Sequence, residues 1–337
     1  MSDARVAFYG DDFTGSVDAL LQFTRRGLRG RLLVGVPSAE ALRAAAAGCD
    51  VVGIAGIARS LGPAALEAEV RPALTALAAL DPDLVQYKAC STADSSPAVG
   101  SLGKVLEIGR DVFGPRPVPM LFAQPDFGRY TVFGQHFAAE DGRVYRLDRQ
   151  PTMSHHPVTP MTEADLAVHI GRQTSLPIGG IPFTDYADAP GLAARLRAVP
   201  AAAVVLDAVD DAQVVLVGDA VSRLPTPVFA IGSGGLSLGL GAAVRPTPGD
   251  DVGARLPQRP GAGGGPVLAV SGSRSAHSRR QADAAARAGW RVAPLRVGDH
   301  AEAARIVAAL GAGTSVAVTS DDAELAASDA LPVIAET

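Results

Sequence analysis

Four apolar runs of this 337-residue chain end in residues able to handle anions and hydroxyls. VAFYG (6–10) leads into Asp11, Asp12, Thr14 and Gly15, and VVGIAGIA (51–58) into Arg59 and Ser60. LVQYKA (84–89) carries Lys88 and leads to Ser91, Thr92 and Asp94, while VPMLFA (118–123) leads to Gln124, Asp126 and Arg129. Arg and Lys hold carboxylates; Asp, Ser and Thr exchange hydrogen bonds with hydroxyls. If the four runs are parallel strands, their polar turns share one sheet edge and form a cleft for a small, hydroxylated, anionic ligand. One Asp-Asp turn alone is explained as well by helix capping and by negative charge at a helix N-terminus. Four polar turns at one expected sheet edge argue for a site.

Three further motifs bear on chemistry. VLAVSGSRSAHS runs from an apolar strand through Ser271, Gly272 and Ser273 to a helix starting near Ser275, a turn able to cradle phosphate or to serve as an ordinary strand-to-helix connection. It is neither a Walker A sequence nor a GxGxxG fingerprint. IGSGGLSLGLG (231–241) repeats the strand–turn–helix logic, and its glycines serve equally well for helix packing. His155 and His156 in PTMSHHPVTPM (151–161) are adjacent, so they point apart, and no third ligand stands at metal spacing. They read as substrate contacts or as loop stiffeners.

The elements that must position these residues follow from the patterning. RLLVGV (31–36), AVVLDAV (203–209) and VFAIG (228–232) join the four runs as strands, and amphipathic Ala- and Leu-rich stretches lie between most of them. SAEALRAAAAG (38–48) shows a Ser38 N-cap and a terminal Gly48. Alternation of strand and helix predicts an α/β fold, with an N-terminal parallel or mixed sheet covered by helices on both faces. Residues 246–266 are rich in Pro and Gly and read as a linker between a domain at 1–245 and a smaller α/β domain at 267–337. The segment 125–160, dense in Arg, Asp, His and Pro, reads as a long functional loop.

Composition narrows the partners. The net charge of −5 and the single short basic cluster RSAHSRR (274–280) argue against nucleic acid. No apolar run reaches the roughly 18 to 20 residues of a membrane span, and MSDARVAFYG has no signal-peptide pattern, so the expectation is a cytoplasmic protein without membrane contact. Cys49 and Cys90 stand far apart and read as reduced thiols.

The chain resembles the four-carbon acid sugar kinases. The resemblance is carried by YGDDFTGSVDALLQF (9–23), IARSL (57–61), YKACSTADSSPAVGSLG (87–103), AQPDFGRYTVFGQHFA (123–138), DRQPTMSHHPVTPMTEADL (148–166), VVLDAVDD (204–211), AIGSGGLSLGLG (230–241) and VLAVSGSRSAHSRRQADAAARAGW (267–290). It implies an ATP-dependent kinase acting on threonate, erythronate or an oxo-tetronate, with the acid sugar on the larger domain and ATP on the smaller one. Asp11 and Asp12 match the family's paired acids, one of them a candidate general base. Arg59 and Lys88 match basic positions that could clamp the substrate carboxylate; Ser91, Asp94, Asp126 and Arg129 complete the polar wall. Ser271, Gly272, Ser273 and Ser275 match the nucleotide side. Mg2+ is expected with the phosphates, with no protein ligand assigned. Members often dimerise, so a homodimer is among the expectations. The family's glycine-rich Gly-Gly-(Glu/Asp)-Thr-Ser-Gly type segment has no counterpart in SDDAELAASDALPVIAET (320–337), and Arg274 stands where Cys is common. The resemblance therefore implies a nucleotide domain shorter than usual. A binding protein or pseudokinase that keeps only the acid-sugar cleft is the alternative.

Overall fold

A computed structural model describes residues 4–244, 265–273, 276–295 and 300–320. Ser275 and nearly all of the expected linker lie outside these described residues. The chain divides into two compact units, Met1–Ala254 and Arg255–Thr337.

In the first unit the apolar runs become β1 (Val6–Gly10), β2 (Gly30–Val34), β3 (Val51–Ala55), β4 (Leu84–Lys88) and β5 (Val118–Leu121). Between them lie α1 (Phe13–Thr24), α2 (Ala39–Ala46), α3 (Pro63–Ala78) and α4 (Leu102–Phe113). Next come β6 (Arg129–Val132), β7 (Gln135–Glu140), β8 (Arg143–Arg146), α5 (Pro151–Ser154) and α6 (Leu166–Gly171). The unit closes with β9 (Ile178–Ile181), α7 (Ala189–Ala198), β10 (Ala203–Leu206), α8 (Asp211–Ser222), β11 (Val228–Gly232) and α9 (Gly234–Ala243).

Eight strands form one sheet in the order β2-β3-β1-β4-β11-β5-β10-β9, and every pairing in it is parallel. The expected parallel-or-mixed sheet is thus parallel throughout. Alternate strand residues feed two cores. Ala7, Tyr9, Val85, Tyr87 and Met120 pack under α2, α3, α4 and α6. Val6, Phe8, Leu84 and Leu121 pack under α1, α7, α8 and α9. Burial on both faces is why these strands read as unbroken apolar runs. The glycines of IGSGGLSLGLG fall to packing: a Cβ on Gly218 of α8 would lie 2.0 Å from the Gly239 backbone of α9, so only glycine permits this approach.

The strand order reverses between β1 and β4, which places the topological switch point, where such sheets bind ligands, between the two. Asp11 and Lys88 stand at those two strand ends.

The segment 125–160 corrects the loop expectation. It folds into a separate antiparallel sheet, β6-β7-β8, with two-residue turns at Phe133–Gly134 and Asp141–Gly142 that all have positive φ. Such turns match the twist of the flanking strands, and Asp-Gly is their common sequence. This arm meets the large sheet's carboxyl edge through bridges Gln124↔Arg129 and Thr131↔Ala208.

In the second unit β12 (Leu268–Ser271), β13 (Arg291–Leu295) and β14 (Val316–Ser320) form a parallel sheet in the order β12-β14-β13, with α10 (Ala276–Arg287) and α11 (His300–Gly311) as crossovers.

Candidate functional site

Asp12 caps α1. Its backbone is extended, and its Oδ1 accepts the Gly15 N–H at 2.8 Å. The same carboxylate faces Arg59, which stands on a short 3-10 turn after β3. The guanidinium is filled by the acid pair: Nη2 donates to Asp11 Oδ1 at 2.7 Å and to Asp12 Oδ1 at 2.9 Å. Nη1 donates to Asp12 Oδ2 at 2.9 Å and Nε to Asp11 Oδ2 at 3.2 Å. Burial pushes the Asp11 carboxyl up, and Arg59 pulls it back toward ionisation. For Arg59 burial alone would lower the pKa; the Asp11 charge overrides it and holds the guanidinium cationic. The two acids differ in access, with side-chain exposures of 3% for Asp11 and 30% for Asp12. Only Asp12 presents oxygen to solvent.

Lys88 is a second buried charge at this edge. It follows Gln86 on the pleat toward the α1 and α9 layer. Its ammonium donates to the Ala89 carbonyl at 3.0 Å and lies 3.8 Å from Asp18 Oδ2. Asp18 also accepts from Gln22 at 2.9 Å and from Gln124 at 3.4 Å. A Cβ on Gly234 would lie 2.2 Å from Asp18 Oδ2, so a larger residue at the start of α9 would displace the Asp18 carboxylate.

The other predicted residues divide. The Ser91 carbonyl is held at 2.8 Å by Nε2 of His136, a fully buried histidine of β7. Asp94 accepts a short hydrogen bond from Thr159 Oγ1. Asp126 is exposed and paired with Arg25 at 3.5 Å, and burial together with Asp211 pushes its carboxyl up. Arg129 turns into the arm and donates to the Phe127 and Ala139 carbonyls, while its buried Nε has no partner. Asp11, Asp12, Arg59 and Lys88 thus converge with Asp18 at the switch point; Asp126 lies at its rim and Arg129 serves the arm. Ser271, Gly272 and Ser273 follow β12 in the second unit. A Cβ on Gly272 would meet nothing within 4 Å, which leaves open space at that turn.

A family model described as the sugar-binding N-terminal domain matches residues 6–240. The chain belongs to the four-carbon acid sugar kinase family. Among this family's curated members, the 3-oxo-isoapionate kinase of Paraburkholderia graminis is 41% identical over 242 residues, covering 70% of this chain and 51% of that protein. The 3-oxo-tetronate kinase of Pseudomonas fluorescens is 35% identical over 294 residues, covering 85% of this chain and 65% of that protein. The chain therefore spans about half to two thirds of the length of these kinases. A Bordetella bronchiseptica protein, solved as a domain-swapped dimer with bound citrate, superposes with a TM-score of 0.59 at 26% identity, over 98% of this chain and 77% of that one.

Asp18, beside the Lys88 ammonium, and His136, which holds the Ser91 carbonyl, are positions that strand-end reasoning passes over. Asp18 had a signal: with Gly15 and Gln22 it makes a polar face on an otherwise apolar helix, at intervals of three and four. His136 had none, because its partners lie in other elements. No helix among the described residues is long and apolar enough to cross a membrane.

Proposed function

We propose that the chain holds a four-carbon acid sugar, of threonate, erythronate or oxo-tetronate type, at the carboxyl ends of β1, β3 and β4, and that it works as an ATP-dependent kinase of that substrate. The observation that carries this reading is the buried Lys88 ammonium beside an acid pair fixed by one guanidinium, all at the switch point. The P. graminis and P. fluorescens relatives are kinases of such oxo acids by name, and the B. bronchiseptica relative holds citrate, also a hydroxylated carboxylic acid.

Lys88 binds the substrate carboxylate: its ammonium has one carbonyl acceptor and keeps further protons for a ligand. Arg59 hydrogen-bonds both acids and aims them. Asp12, the exposed member, accepts the sugar hydroxyl that will receive the phosphoryl group and takes its proton; Asp11 is the buried counter-charge. In phosphoryl transfer such positioning supplies most of what the protein contributes. Among the described residues no group of three or more His, Cys, Asp or Glu is placed to hold a metal ion, and Arg59 engages both acids, leaving the more exposed Asp12 alone open to a further partner. The acid pair does not fit a preformed Mg2+ centre. The second unit, with its open Gly272 turn, is the side we assign to the nucleotide. A homodimer fits the dimeric B. bronchiseptica relative.

Thermal unfolding with each four-carbon acid, with Mg-ATP, and with both tests the reading. The acids raise the melting temperature, and ATP turnover requires the acid and is lost in Asp12→Asn. Stabilisation by the acids without turnover would leave a binding protein. No stabilisation by any four-carbon acid would remove the substrate assignment.

A further inference from the structure

The segment SHHPVTP carries chemistry that the acid pair and Lys88 do not use. His155 is self-contained: its Nδ1 lies 3.1 Å from the Pro151 carbonyl and 2.9 Å from Ser154 Oγ. His156 is engaged differently. The Thr159 N–H reaches His156 Nδ1 at 3.1 Å, and Thr159 Oγ1 lies 2.8 Å from the same nitrogen. Thr159 is buried, and its hydroxyl donates to Asp94. Thr159 therefore ties the two together, its hydroxyl donating to the Asp94 carboxylate and its N–H donating to the Nδ1 edge of the His156 ring. The ring is half-buried, and no group among the described residues bonds its Nε2.

The chain is anchored in the loop that follows β4, six residues after Lys88. That loop is determined from three sides. His136 of the arm holds the Ser91 carbonyl at 2.8 Å, and Ser95 Oγ donates to the Ala93 carbonyl at 2.8 Å. His169 of α6 reaches Ser95 Oγ at 3.0 Å. Ala93, between these anchors, has φ of +49°. A non-glycine residue in this region is strained and persists where its surroundings over-determine it, as around binding and catalytic sites. The arrangement spends stability to place Asp94, and through Asp94 and Thr159 it places His156.

We propose that His156 is a ligand-binding residue whose Nε2 contacts a hydroxyl of the acid sugar, with Asp94 and Thr159 as the positioning residues that aim the ring. This rests on the acid-sugar reading above and adds to it a second point of recognition, distinct from Lys88 and the acid pair. Because Nδ1 accepts the Thr159 N–H, Nε2 carries the ring proton and donates a hydrogen bond to a sugar hydroxyl oxygen.

His156→Asn tests it. Asparagine reproduces the Nδ1 side of the ring, and so the contact with the Thr159 N–H, but has nothing at the position of Nε2. Calorimetric titration of the full chain with the enantiomers of erythronate and threonate, paired with a melting curve, gives the two readouts. The expected result is an unchanged melting temperature with about tenfold weaker binding of the tightest of these acids, the size of one lost hydrogen bond. Unchanged affinity overturns the role of His156 and leaves the acid-sugar reading intact. A fall in melting temperature that accounts for the lost affinity makes His156 a structural cap and also overturns the proposal. A wild-type chain that binds none of the acids overturns the reading itself, and this role with it.

Discussion

Arg59 is the residue on which the site's electrostatics turn. Four N–H···O contacts between 2.7 and 3.2 Å tie it to two carboxylates, one of them in a fully buried position. Coulomb attraction and hydrogen bonding here offset a desolvation cost that neither partner could meet alone. Replacing Arg59 with Met leaves the Asp11 carboxylate buried and uncompensated, and removing one partner of a buried pair costs about 3–5 kcal/mol. Lysine restores the charge but not the planar fork that spans both acids, so Arg59→Lys recovers only part of that loss. Urea unfolding of the three proteins checks the order wild type, Lys, Met. Adding Asp11→Asn to Arg59→Met removes the stranded charge and returns a portion of the stability. A cost below about 1 kcal/mol for Arg59→Met would mean that the cluster is solvated like a surface pair.

At the scale of elements, the arm β6-β7-β8 and helix α6 hold the loop after β4, and they do so through neutral histidines. Burial lowers the pKa of His136 from 6.5 to about 4 and that of His169 in the same direction. For a histidine lowered on folding, the unfolded chain binds the proton more readily at pH values between the two pKa values. Its contribution is therefore complete above pH 6.5 and is lost as the pH falls toward 4. For His136 the loss amounts to about 3 kcal/mol at 1.36 kcal/mol per pKa unit. Denaturation at pH 7.5 and at pH 5 measures the part lost by pH 5, about 2 kcal/mol. His136→Gln keeps a donor toward the Ser91 carbonyl and cannot titrate, so its stability falls less across that interval; an identical fall in both proteins would assign the pH dependence to other groups. The arm is also where the sequence misleads. The strands of the large sheet are legible because burial on both faces makes them apolar runs. RYTV, QHFAAE and RVYR are short, polar and half-exposed, and only Asp141–Gly142 marks a hairpin. The strand β9, IGGI, is hidden by its two glycines. The site shows the same division. Asp11, Asp12, Arg59 and Lys88 stand at ends of legible strands and are found from the chain alone. Asp18 and His136 reach their partners from a helix face and from the arm, and only three-dimensional packing brings them there.

At the scale of the whole molecule, the cleft proposed for the acid sugar and both large cores are built from residues 4–244. All eight strands of the main sheet pair among themselves, and the family match at 6–240 lies inside the same unit. The second unit has a core of Ala293, Val316 and Val318, with three further residues packed against it. Its strand β12 leaves Leu268 and Val270 at 50% and 65% exposure, although strands of a parallel sheet are normally covered on both faces. The described part of this unit buries little apolar surface, which leaves a small margin over the entropy of ordering it. The 337-residue chain is therefore expected to melt in two calorimetric steps, the smaller at lower temperature. A chain of residues 1–244 should reproduce the larger step and bind the four-carbon acid within about twofold of the affinity of the 337-residue chain, because every group assigned to the acid lies within it. The acid should raise the larger step by RT ln(1 + [L]/Kd), about 2.7 kcal/mol at a hundredfold excess over Kd, in both chains alike. Turnover of ATP should be confined to chains that contain the second unit. If residues 1–244 fold yet bind the acid tenfold or more weakly, part of the acid site is contributed from beyond residue 244, and the assignment of substrate to the first unit alone is wrong.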